Sequence, residues 1–472
     1  MTTTHPRRWL AAAFLAGLVA RLVAWHQEGI LHIDEQLQVL EPAWWHLSGA
    51  GLAAWEWRDG IRSWVLPGYH GAWMGLLSSL GVSRGATMAS LIRLHWALLS
   101  LLLVGAAYRA GCSLTRRLLA PASPDPAADS LGGLLAAWLC ALHPLLVSYA
   151  PHPLSEAPSM LCLVLAFALA LEASTPRGWA AVGLLLALGV GFKISNLPLV
   201  LGPALLLLQR GPRAVGWMGL GAAAPVLLFG LVDLLTWGRF LGSFIAYLRF
   251  NLVAGKAADF GTEPWPWYLS LLRGAWPEAF ALVLVPVIFG LRATWPFLLS
   301  AAALVGLLST QGHKEERFII AVWPLLLIAA AGVAGAWLAR AGAPGAPGGR
   351  AALRLRLAVV GVGALVICGD GLVRVGARRG TTSRAWLEGQ AAAARDPGAG
   401  ALMIEDNFFV GGGAMWFGGG TNLQLGYAAP VLDNPLVSHV LVRKDSDKEH
   451  RARDLGFVPV WARADVVLLR RR

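Results

Sequence analysis

The chain is 472 residues long, with 56% hydrophobic and only 14% charged residues. Its mean hydropathy of +0.58 excludes an ordinary soluble enzyme. The formal net charge of +12 comes largely from arginines in loops, so it reports on topology and anionic lipids. No nucleic-acid motif accompanies it. The composition predicts a polytopic membrane protein whose partners include membrane lipids but no nucleic acid.

Apolar runs recur along most of the chain, each long enough to cross a hydrocarbon core of roughly 30 Å. They predict an all-α membrane protein of about 11 transmembrane helices, at residues 9–25, 86–109, 130–149, 153–172, 177–192, 195–209, 213–236, 271–291, 294–309, 317–340 and 351–369. Arginine-rich short loops fall on the side of Arg7 and Arg8, which the positive-inside rule makes cytoplasmic. The longest loops, at 26–85 and 237–270, then lie on the extracytoplasmic side.

The polar end of the chain differs from the rest. Residues 341–350 are a low-complexity linker, and strand-like runs follow at Ala401–Ile404 and Ala464–Leu469. We therefore expect a transmembrane domain over 1–370 and a small soluble α/β or α+β domain over 385–472. Two Gly-rich loops, at 411–413 and 418–420, lack the spacing of a phosphate-binding loop and are interpreted as turns. The side of the membrane on which this domain lies stays open, because span parity and the flanking arginines disagree.

Two adjacent carboxylates, Asp34 and Glu35, open a helix-like run soon after the first span. If the helix begins at Asp34, Gln38 and Glu41 share its face beside an apolar stripe, and Pro42 kinks it. Such a helix suits a membrane surface, with its polar edge aimed at a cavity. The alternative is that Asp34 is merely an N-cap.

The same loop continues with aromatic residues that alternate with charges. Interfacial tryptophans are often only anchors, but a carboxylate and an arginine among them also suit a sugar site, where indole stacks on C–H surfaces. These residues are Trp55, Glu56, Trp57 and Arg62. The loop at 237–270 carries a comparable group, for which an interfacial belt and a substrate wall are equally good interpretations. Its members are Glu263, Trp265 and Trp267.

The turn around His313 crowds ionisable side chains between two apolar spans. His313, Lys314 and Arg317 supply three potential cations, and Glu315 and Glu316 are expected to orient them by pairing. A solvated loop is the alternative, but three cations at the mouth of a span fit phosphate or pyrophosphate better. Arg317 also opens a helix, whose dipole attracts an anion.

Other charged residues mark span ends and loops on this side. His152 and Glu156 stand at the start of one span, and Lys193 stands at the mouth of another. Each of them serves either a substrate or a structural pair. Arg249 lies in an extracytoplasmic loop against the positive-inside rule, which makes it a candidate for function.

The strings HIDEQLQVLEP, AWEW, IRSWVLP, YLRFN, FGTEPWPWY and HKEERF together resemble the signature of glycosyltransferase family 22. That family holds the GPI-anchor mannosyltransferases and mannosyltransferases of lipid-linked oligosaccharide assembly, within the GT-C superfamily. The resemblance runs through roughly residues 9–340 and leaves the C-terminal domain unmatched. It departs from the family at His152 and Glu156, where Arg and Asn are more usual, and around Lys193.

The resemblance implies a GT-C-type bundle with extracytoplasmic loop helices and an inverting, integral-membrane glycosyltransferase. Its sugar, mannose by family analogy, would pass from a polyprenyl-phosphate donor to a lipid-linked glycan or other membrane-associated acceptor. Matched to the family motif, Asp34 is the general base, with Glu35 beside it to hold acceptor or donor. The cations expected at the leaving phosphate are His313, Lys314 and Arg317, with Arg249 and Lys193 as secondary candidates. The candidates for substrate binding are Gln38, Glu41, Trp55, Glu56, Trp57, Arg62, His152, Glu156, Glu263, Trp265 and Trp267.

No cofactor and no metal site is predicted, since no DxD motif is present and the four cysteines lack metal-ligand spacing. A divalent ion at Asp34 and Glu35 stays open. The alternative function is a lipid-headgroup transporter or flippase, although polar motifs gathered at one face favour an enzyme. Composition suggests a bacterial cytoplasmic membrane with a periplasmic active site. A eukaryotic host would mean the endoplasmic reticulum and its lumen.

Overall fold

A computed structural model describes residues 5–27, 29–119, 126–342, 349–378, 381–405, 413–417, 422–425 and 432–472. Linker residues 343–348 and the Gly-rich loops other than Gly413 lie outside these ranges. The described chain is mostly helical and separates into two compact units. Unit 1 comprises Met1–Val23, Ala97–Ala150 and Ser155–Gly376, and unit 2 comprises Ala24–Trp96, Pro151–Leu154 and Ala377–Arg472.

The first half of the chain is a succession of helices. In order they are α1 (His5–Gln27), a π-helix (Glu35–Leu40), α2 (Glu41–Ser48), α3 (Trp55–Arg58), α4 (Val65–Ser79), α5 (Gly85–Leu99), α6 (Leu102–Leu119), α7 (Pro126–Leu142), α8 (Pro144–Tyr149), α9 (Glu156–Glu172), α10 (Pro176–Phe192), a 3-10 helix (Ile194–Val200), α11 (Leu201–Leu208) and α12 (Pro212–Trp237).

The second half continues with helices and ends in a sheet. The helices are α13 (Gly242–Leu248), a π-helix (Arg249–Val253), a 3-10 helix (Lys256–Phe260), α14 (Trp267–Ala275), α15 (Glu278–Thr310), a 3-10 helix (Glu316–Ile319), α16 (Val322–Gly342), α17 (Gly349–Arg378) and α18 (Thr381–Ala393). The C-terminal elements are β1 (Ala401–Ile404), α19 (Ala414–Phe417), β2 (Asn422–Leu425), β3 (Val437–Arg443), α20 (Asp447–Asp454), β4 (Phe457–Arg463) and β5 (Val466–Arg471).

Among the described residues, six helices are long and apolar enough to cross a membrane: Pro6–His26, Gly85–Leu119, Pro212–Trp237, Glu278–Thr310, Val322–Gly342 and Ala351–Gly369. Shorter apolar helices lie at Pro126–Leu142, Pro176–Phe192 and Ile194–Leu208. A straight span needs about 20 residues, and these fall short of it. The multi-pass membrane architecture is therefore confirmed, but the predicted total of about 11 spans is not.

Two predicted spans, at 271–291 and 294–309, fall largely within one continuous helix, α15. Thr294 Oγ1 lies 3.5 Å from the carbonyl oxygen of Pro286, eight residues earlier. In a straight helix those residues would be about 12 Å apart along the axis, so α15 is sharply bent here. Proline inside the helix explains the bend, because it removes a backbone hydrogen bond and crowds the preceding turn.

The bend brings both ends of α15 towards one turn. Trp276, just before the helix, donates a 2.5 Å hydrogen bond from its indole Nε1 to Glu316. Glu316 itself follows the end of the helix at Thr310 by only a short turn. A straight helix of 33 residues would instead hold its ends about 50 Å apart. Residues on either side of α15 can therefore contribute to the same surface.

Helices α6, α7 and α16 pack at backbone contact in unit 1. A Cβ atom on Gly335 would lie 2.3 Å from the nitrogen of Gly132, and one on Gly111 would lie 2.6 Å from the Gly132 carbonyl oxygen. Such close approach between apolar helices requires glycine. Thr115 adds a 3.1 Å hydrogen bond from its hydroxyl to the Gly332 carbonyl. This packing fixes α16, which begins shortly after the predicted cationic turn.

Unit 2 contains a five-stranded mixed sheet of order β2-β1-β3-β5-β4. Strand β1 runs parallel to β2 and β3, while β5 is antiparallel to β3 and β4. Leu402 and Ile404 of β1 pack in one core with Trp386 of α18, whereas Met403 packs in another with Ala452 of α20. This alternation follows the two-residue period of a strand. The predicted strands at Ala401–Ile404 and Ala464–Leu469 correspond to β1 and, shifted by two residues, to β5.

The C-terminal residues share their compact unit with the first loop. Unit 2 joins Ala377–Arg472 to Ala24–Trp96 and Pro151–Leu154. Arg384, at the start of α18, donates a 2.6 Å hydrogen bond to the carbonyl oxygen of His26. The sheet is thus packed with the segment that carries the paired carboxylates.

Candidate active site

The acid motif, residues 32–41, folds as a π-helix that passes directly into α2. The sequence predicts a regular helix from Asp34 that is kinked at Pro42. Pro42 lies in the first turn of α2, directly after the π-helix. The helical irregularity that the structure shows is the wider π-helical turn before the proline.

The π-helix also changes which side chains are enclosed. Glu35, Gln36, Gln38 and Glu41 are all buried, while Trp45 is exposed. Regular helical spacing places Trp45 on the same face as Gln38 and Glu41, but the register of a π-helix turns it away. The polar edge of this helix, which the sequence predicts to face a cavity, is thus buried within unit 2.

Glu35 forms a fully buried ion pair with His152. Their side chains are 0% exposed, and His152 Nδ1 lies 2.6 Å from Glu35 Oε2. Arg93 of α5 places its Nε 3.6 Å from the other carboxylate oxygen. Burial would raise the pKa of Glu35, but the charges of His152 and Arg93 and hydrogen bonds from His152 and Leu31 lower it below its ordinary value. Glu35 is therefore a carboxylate enclosed by protein cations.

Asp34 is the more accessible carboxylate of the two. Its side chain is 18% exposed and lies 3.6 Å from His32 Nδ1. The same ring nitrogen accepts a 3.1 Å hydrogen bond from the Asp34 backbone N–H. Although Asp34 precedes the π-helix, its side chain makes no capping hydrogen bond. The alternative that Asp34 is merely an N-cap therefore loses its structural basis.

Glu56 accepts hydrogen bonds from two other predicted substrate-binding residues. Arg62 donates a 2.6 Å hydrogen bond to Glu56 Oε1, and Gln38 donates one of 3.1 Å to the same oxygen. Trp57 donates from its indole nitrogen to the carbonyl of Leu37, 3.0 Å away. The structure thus brings four predicted substrate-binding residues together, and their hydrogen bonds support the π-helix. They are Gln38, Glu56, Trp57 and Arg62. Trp55, the fifth candidate in this loop, is half-buried.

Glu41, a predicted substrate-binding residue, has its carboxylate oxygens occupied by protein donors. Gln36 Nε2 lies 2.8 Å from Oε1, and the N–H of Met415 reaches the same oxygen at 2.9 Å. Sequence reasoning missed Gln36, Met415 and Arg93. Gln36 and Glu41 are five residues apart, which is the hydrogen-bonding interval of a π-helix, so only recognition of that helix type would have paired them.

In unit 1, charges of alternating sign form a buried network around Glu156. Lys193 Nζ lies 2.8 Å from Glu156 Oε1, and an Arg317 amino nitrogen lies 3.6 Å from the same atom. Arg317 Nε also contacts Glu315 at 2.5 Å, and Glu315 contacts His313 at 2.9 Å. The hydrogen bond to Glu315 raises the pKa of His313 above its ordinary value. This network joins one predicted substrate residue to three predicted phosphate-binding cations.

Phe318 lies against the same cations and was missed from the sequence. Its ring centroid is 4.9 Å from Lys193 Nζ and 5.2 Å from the Arg317 guanidinium carbon. An aromatic face attracts a cation electrostatically, so Phe318 helps to orient both side chains. Its position directly after the arginine of HKEERF was the available signal.

Lys314 has a different environment from the phosphate contact predicted for it. Its ammonium group donates to the carbonyl oxygens of Glu263 at 2.7 Å and of Gln311 at 2.5 Å, with a longer contact to Gly312. The side chain is buried and all three hydrogen-bond donors point to backbone carbonyls. In this structure Lys314 therefore links the turn around His313 to the segment around Glu263 by hydrogen bonds.

The remaining loop candidates differ in their exposure. Arg249, Glu263 and Trp265 are exposed, and Trp265 retains 70% of its accessible surface. Trp267 is half-buried and packs edge-on against Tyr268, with ring centroids 5.1 Å apart. Within the described ranges, His, Cys, Asp and Glu side chains form no group of three or more that could hold a metal ion.

Similar proteins of known activity match most of the chain. Residues 12–367 match the Alg9-like mannosyltransferase family. The chain is 28% identical over 319 residues to GPI mannosyltransferase 3 of Yarrowia lipolytica, covering 63% of this chain and 57% of that protein. Over 145 residues it is 39% identical to Dol-P-Man:Man(7)GlcNAc(2)-PP-Dol alpha-1,6-mannosyltransferase of Drosophila melanogaster, covering 29% of this chain and 21% of that protein. The chain thus spans little more than half of the first relative and about a fifth of the second.

Two solved structures share the fold of this chain. ArnT from Cupriavidus metallidurans, bound to undecaprenyl phosphate, superposes with a TM-score of 0.62 over 99% of this chain and 98% of that one, at 13% identity. The oligosaccharyltransferase of Archaeoglobus fulgidus gives a TM-score of 0.52 over 94% of this chain and 69% of that one, at 12% identity. At these identities the likeness shows the fold alone.

The acid motif, the buried Glu35–His152 pair and the charged network around Glu156 all fall inside the segment that matches the family. Because this segment, residues 12–367, makes up most of the chain, the protein belongs to the Alg9-like mannosyltransferase family.

Proposed function

We propose that this protein is a membrane-embedded inverting mannosyltransferase. It would take mannose from a polyprenyl-phosphate donor and transfer it to a lipid-linked glycan or another membrane-associated acceptor. Family membership supports sugar transfer, and the name of the Drosophila relative includes Dol-P-Man, which supports the donor class. The observation that carries the proposal is the buried Glu35–His152 pair directly beside the more accessible Asp34.

Asp34 is assigned as the general base. In a single displacement, the acceptor oxygen bonds to the anomeric carbon while the bond from that carbon to the donor phosphate oxygen breaks. Asp34 takes the proton of the acceptor hydroxyl, and the electron pair of the broken bond leaves on the phosphate. Glu35 already faces two protein cations, so it holds the motif in place while its neighbour accepts the proton.

The cations of unit 1 are assigned to the departing phosphate. Negative charge grows on that group in the transition state, and preorganised cations stabilise it most in a site that excludes water. Glu156 holds in position the buried Arg317 and the partly exposed Lys193, and Glu315 keeps His313 protonated to a higher pH. These carboxylates fix the direction of the cations, which leaves little reorganisation for the moment of reaction.

The proposal is tested by incubating the purified protein in liposomes with radiolabelled polyprenyl-phosphate mannose and candidate glycolipid acceptors. We expect label to appear in the acceptor, and none to be transferred when GDP-mannose replaces the lipid donor. Movement of the donor lipid across the bilayer without transfer would contradict the proposal and favour a flippase.

Replacing Asp34 by Asn should leave the fold intact and lower kcat by about 10² to 10⁴, because the amide keeps the shape but cannot accept the proton. Initial rates at saturating donor and acceptor measure the effect. Asp59→Asn is the matched control, since Asp59 is an exposed carboxylate of the same loop. A loss of only about twofold in the Asp34 variant would exclude it as the base.

Replacing Arg317 by Met should raise the KM for the lipid-phosphate donor by roughly tenfold and leave the acceptor KM nearly unchanged. The reason is the loss of a positioned charge at the phosphate. Arg273→Met serves as control, because Arg273 is exposed on α14. Thermal unfolding of each variant separates binding from folding. A change confined to the acceptor KM would contradict the phosphate assignment.

The mechanism also requires the first loop and the turn around His313 to share one compartment. Single cysteines at Gly60 and Gly312, in a background without the native cysteines, should both react with an impermeant maleimide from the extracytoplasmic side. A cysteine at Gly211, which lies between Arg210 and Arg213, should react only after permeabilisation. Labelling of Gly60 and Gly312 from opposite sides would separate the base from the cations and exclude the mechanism.

A further inference from the structure

We propose that the C-terminal part of the chain positions the acid motif for catalysis. The contact is made by a short segment, Gly413–Phe417, which we name the strap and which contains α19. The strap packs on α2 and on the start of α5 within unit 2. This inference rests on the proposed function, because it concerns the placement of Asp34 as base.

Glu41 is the first anchor of the strap. The carboxylate is fully buried and accepts hydrogen bonds from the N–H of Met415, at 2.9 Å, and of Leu52, at 3.0 Å. Gln36 Nε2 and the backbone of Ala414 supply two further donors. Glu41 therefore ties three separate segments to one point: the π-helix, the loop after α2 and the strap.

Gln36 is the second anchor. Its amide nitrogen donates to Glu41 at 2.8 Å, and its amide oxygen accepts a 2.8 Å hydrogen bond from the indole N–H of Trp416. Both ends of the amide are thereby used, so its orientation is fixed. Gln36 is adjacent to Glu35 in the π-helix, so the strap acts one residue away from the buried ion pair.

The strap fits between two glycine-sized spaces. A Cβ on Gly413 would lie 2.4 Å from Glu41 Oε1, and a Cβ on Gly85 would lie 2.0 Å from the carbonyl oxygen of Met415. Neither position has room for a methyl group. Gly85 begins α5, the helix that carries Arg93 towards Glu35. The strap thus contacts both the π-helix, which belongs to the acid motif, and α5. Its contacts therefore influence the distance between the acid motif and α5.

Two substitutions loosen the strap without touching Asp34 or Glu35. Trp416→Phe removes the hydrogen bond to Gln36, and its matched control is Trp461→Phe, a half-buried tryptophan of β4. Gly85→Ala forces a methyl group against the Met415 carbonyl. Its control is Gly75→Ala in α4, where nothing lies within 4 Å of the new methyl group.

We expect both strap variants to lower kcat for sugar transfer by about tenfold to a hundredfold, because a small misplacement of a catalytic group is enough for such a loss. The KM values for donor and acceptor should stay within about twofold, and the melting temperature of the Trp416 variant should match that of its control. Amide hydrogen exchange should accelerate in the peptides that contain Met415 and Leu52, in these variants and in Glu41→Ala.

The outcomes separate the positioning role from the proposed function. If exchange accelerates but kcat is unchanged in an active enzyme, the strap is only structural and the inference is overturned, while the proposed function stands. Unchanged exchange in Glu41→Ala would show that the anchors do not hold the strap, which overturns the inference as well. If the unmodified protein transfers no mannose to any acceptor, the proposed function fails first, and the positioning role fails with it.

Discussion

A carboxylate removed from water must be paired, and this constraint organises the acid motif. Glu35 is fully buried, so His152 and Arg93 have to reach it from other parts of the chain. Removing one partner of such a group typically costs about 3–5 kcal/mol, because an uncompensated charge stays inside the protein. The pairing therefore fixes the π-helix, α5 and the segment Pro151–Leu154 relative to one another, and with them the position of Asp34.

Buried charges are also paired in unit 1, but there the central groups are cations and their partners are carboxylates. These cations are the groups that we propose to bind the donor phosphate. Glu156 faces Lys193 and Arg317, and Glu315 faces Arg317 and His313. Each carboxylate lowers the energy of its cations in a buried setting and fixes their direction. Lys314 shows the contrast, because backbone carbonyls occupy its donors and give it a purely structural environment.

Sequence reasoning singled out segments whose charged side chains the structure brings into contact, and it assigned many of those contacts only partly. Polar motifs between apolar runs pointed to the acid motif and to the turn around His313. Charged side chains at the ends of apolar spans are unusual, so they drew attention to these segments. The partners of Glu41 were not predictable, because Met415 is 374 residues away and a π-helix leaves no distinct hydrophobic period. The count of about 11 spans stays a prediction, since proline bends α15 within one helix and three of the described apolar helices are shorter than a straight span.

Two neighbouring carboxylates in different environments explain how one motif can both hold its shape and perform chemistry. Burial would raise the pKa of Glu35, but His152 and Arg93 beside it lower that pKa below its ordinary value, so Glu35 favours its charged form inside the protein. Asp34 keeps part of its surface in contact with solvent and makes no capping hydrogen bond. In the proposed mechanism an acceptor hydroxyl approaches Asp34, because Glu35 is fully buried. The burial that fixes Glu35 would then also hold the adjacent Asp34 in place for the proton.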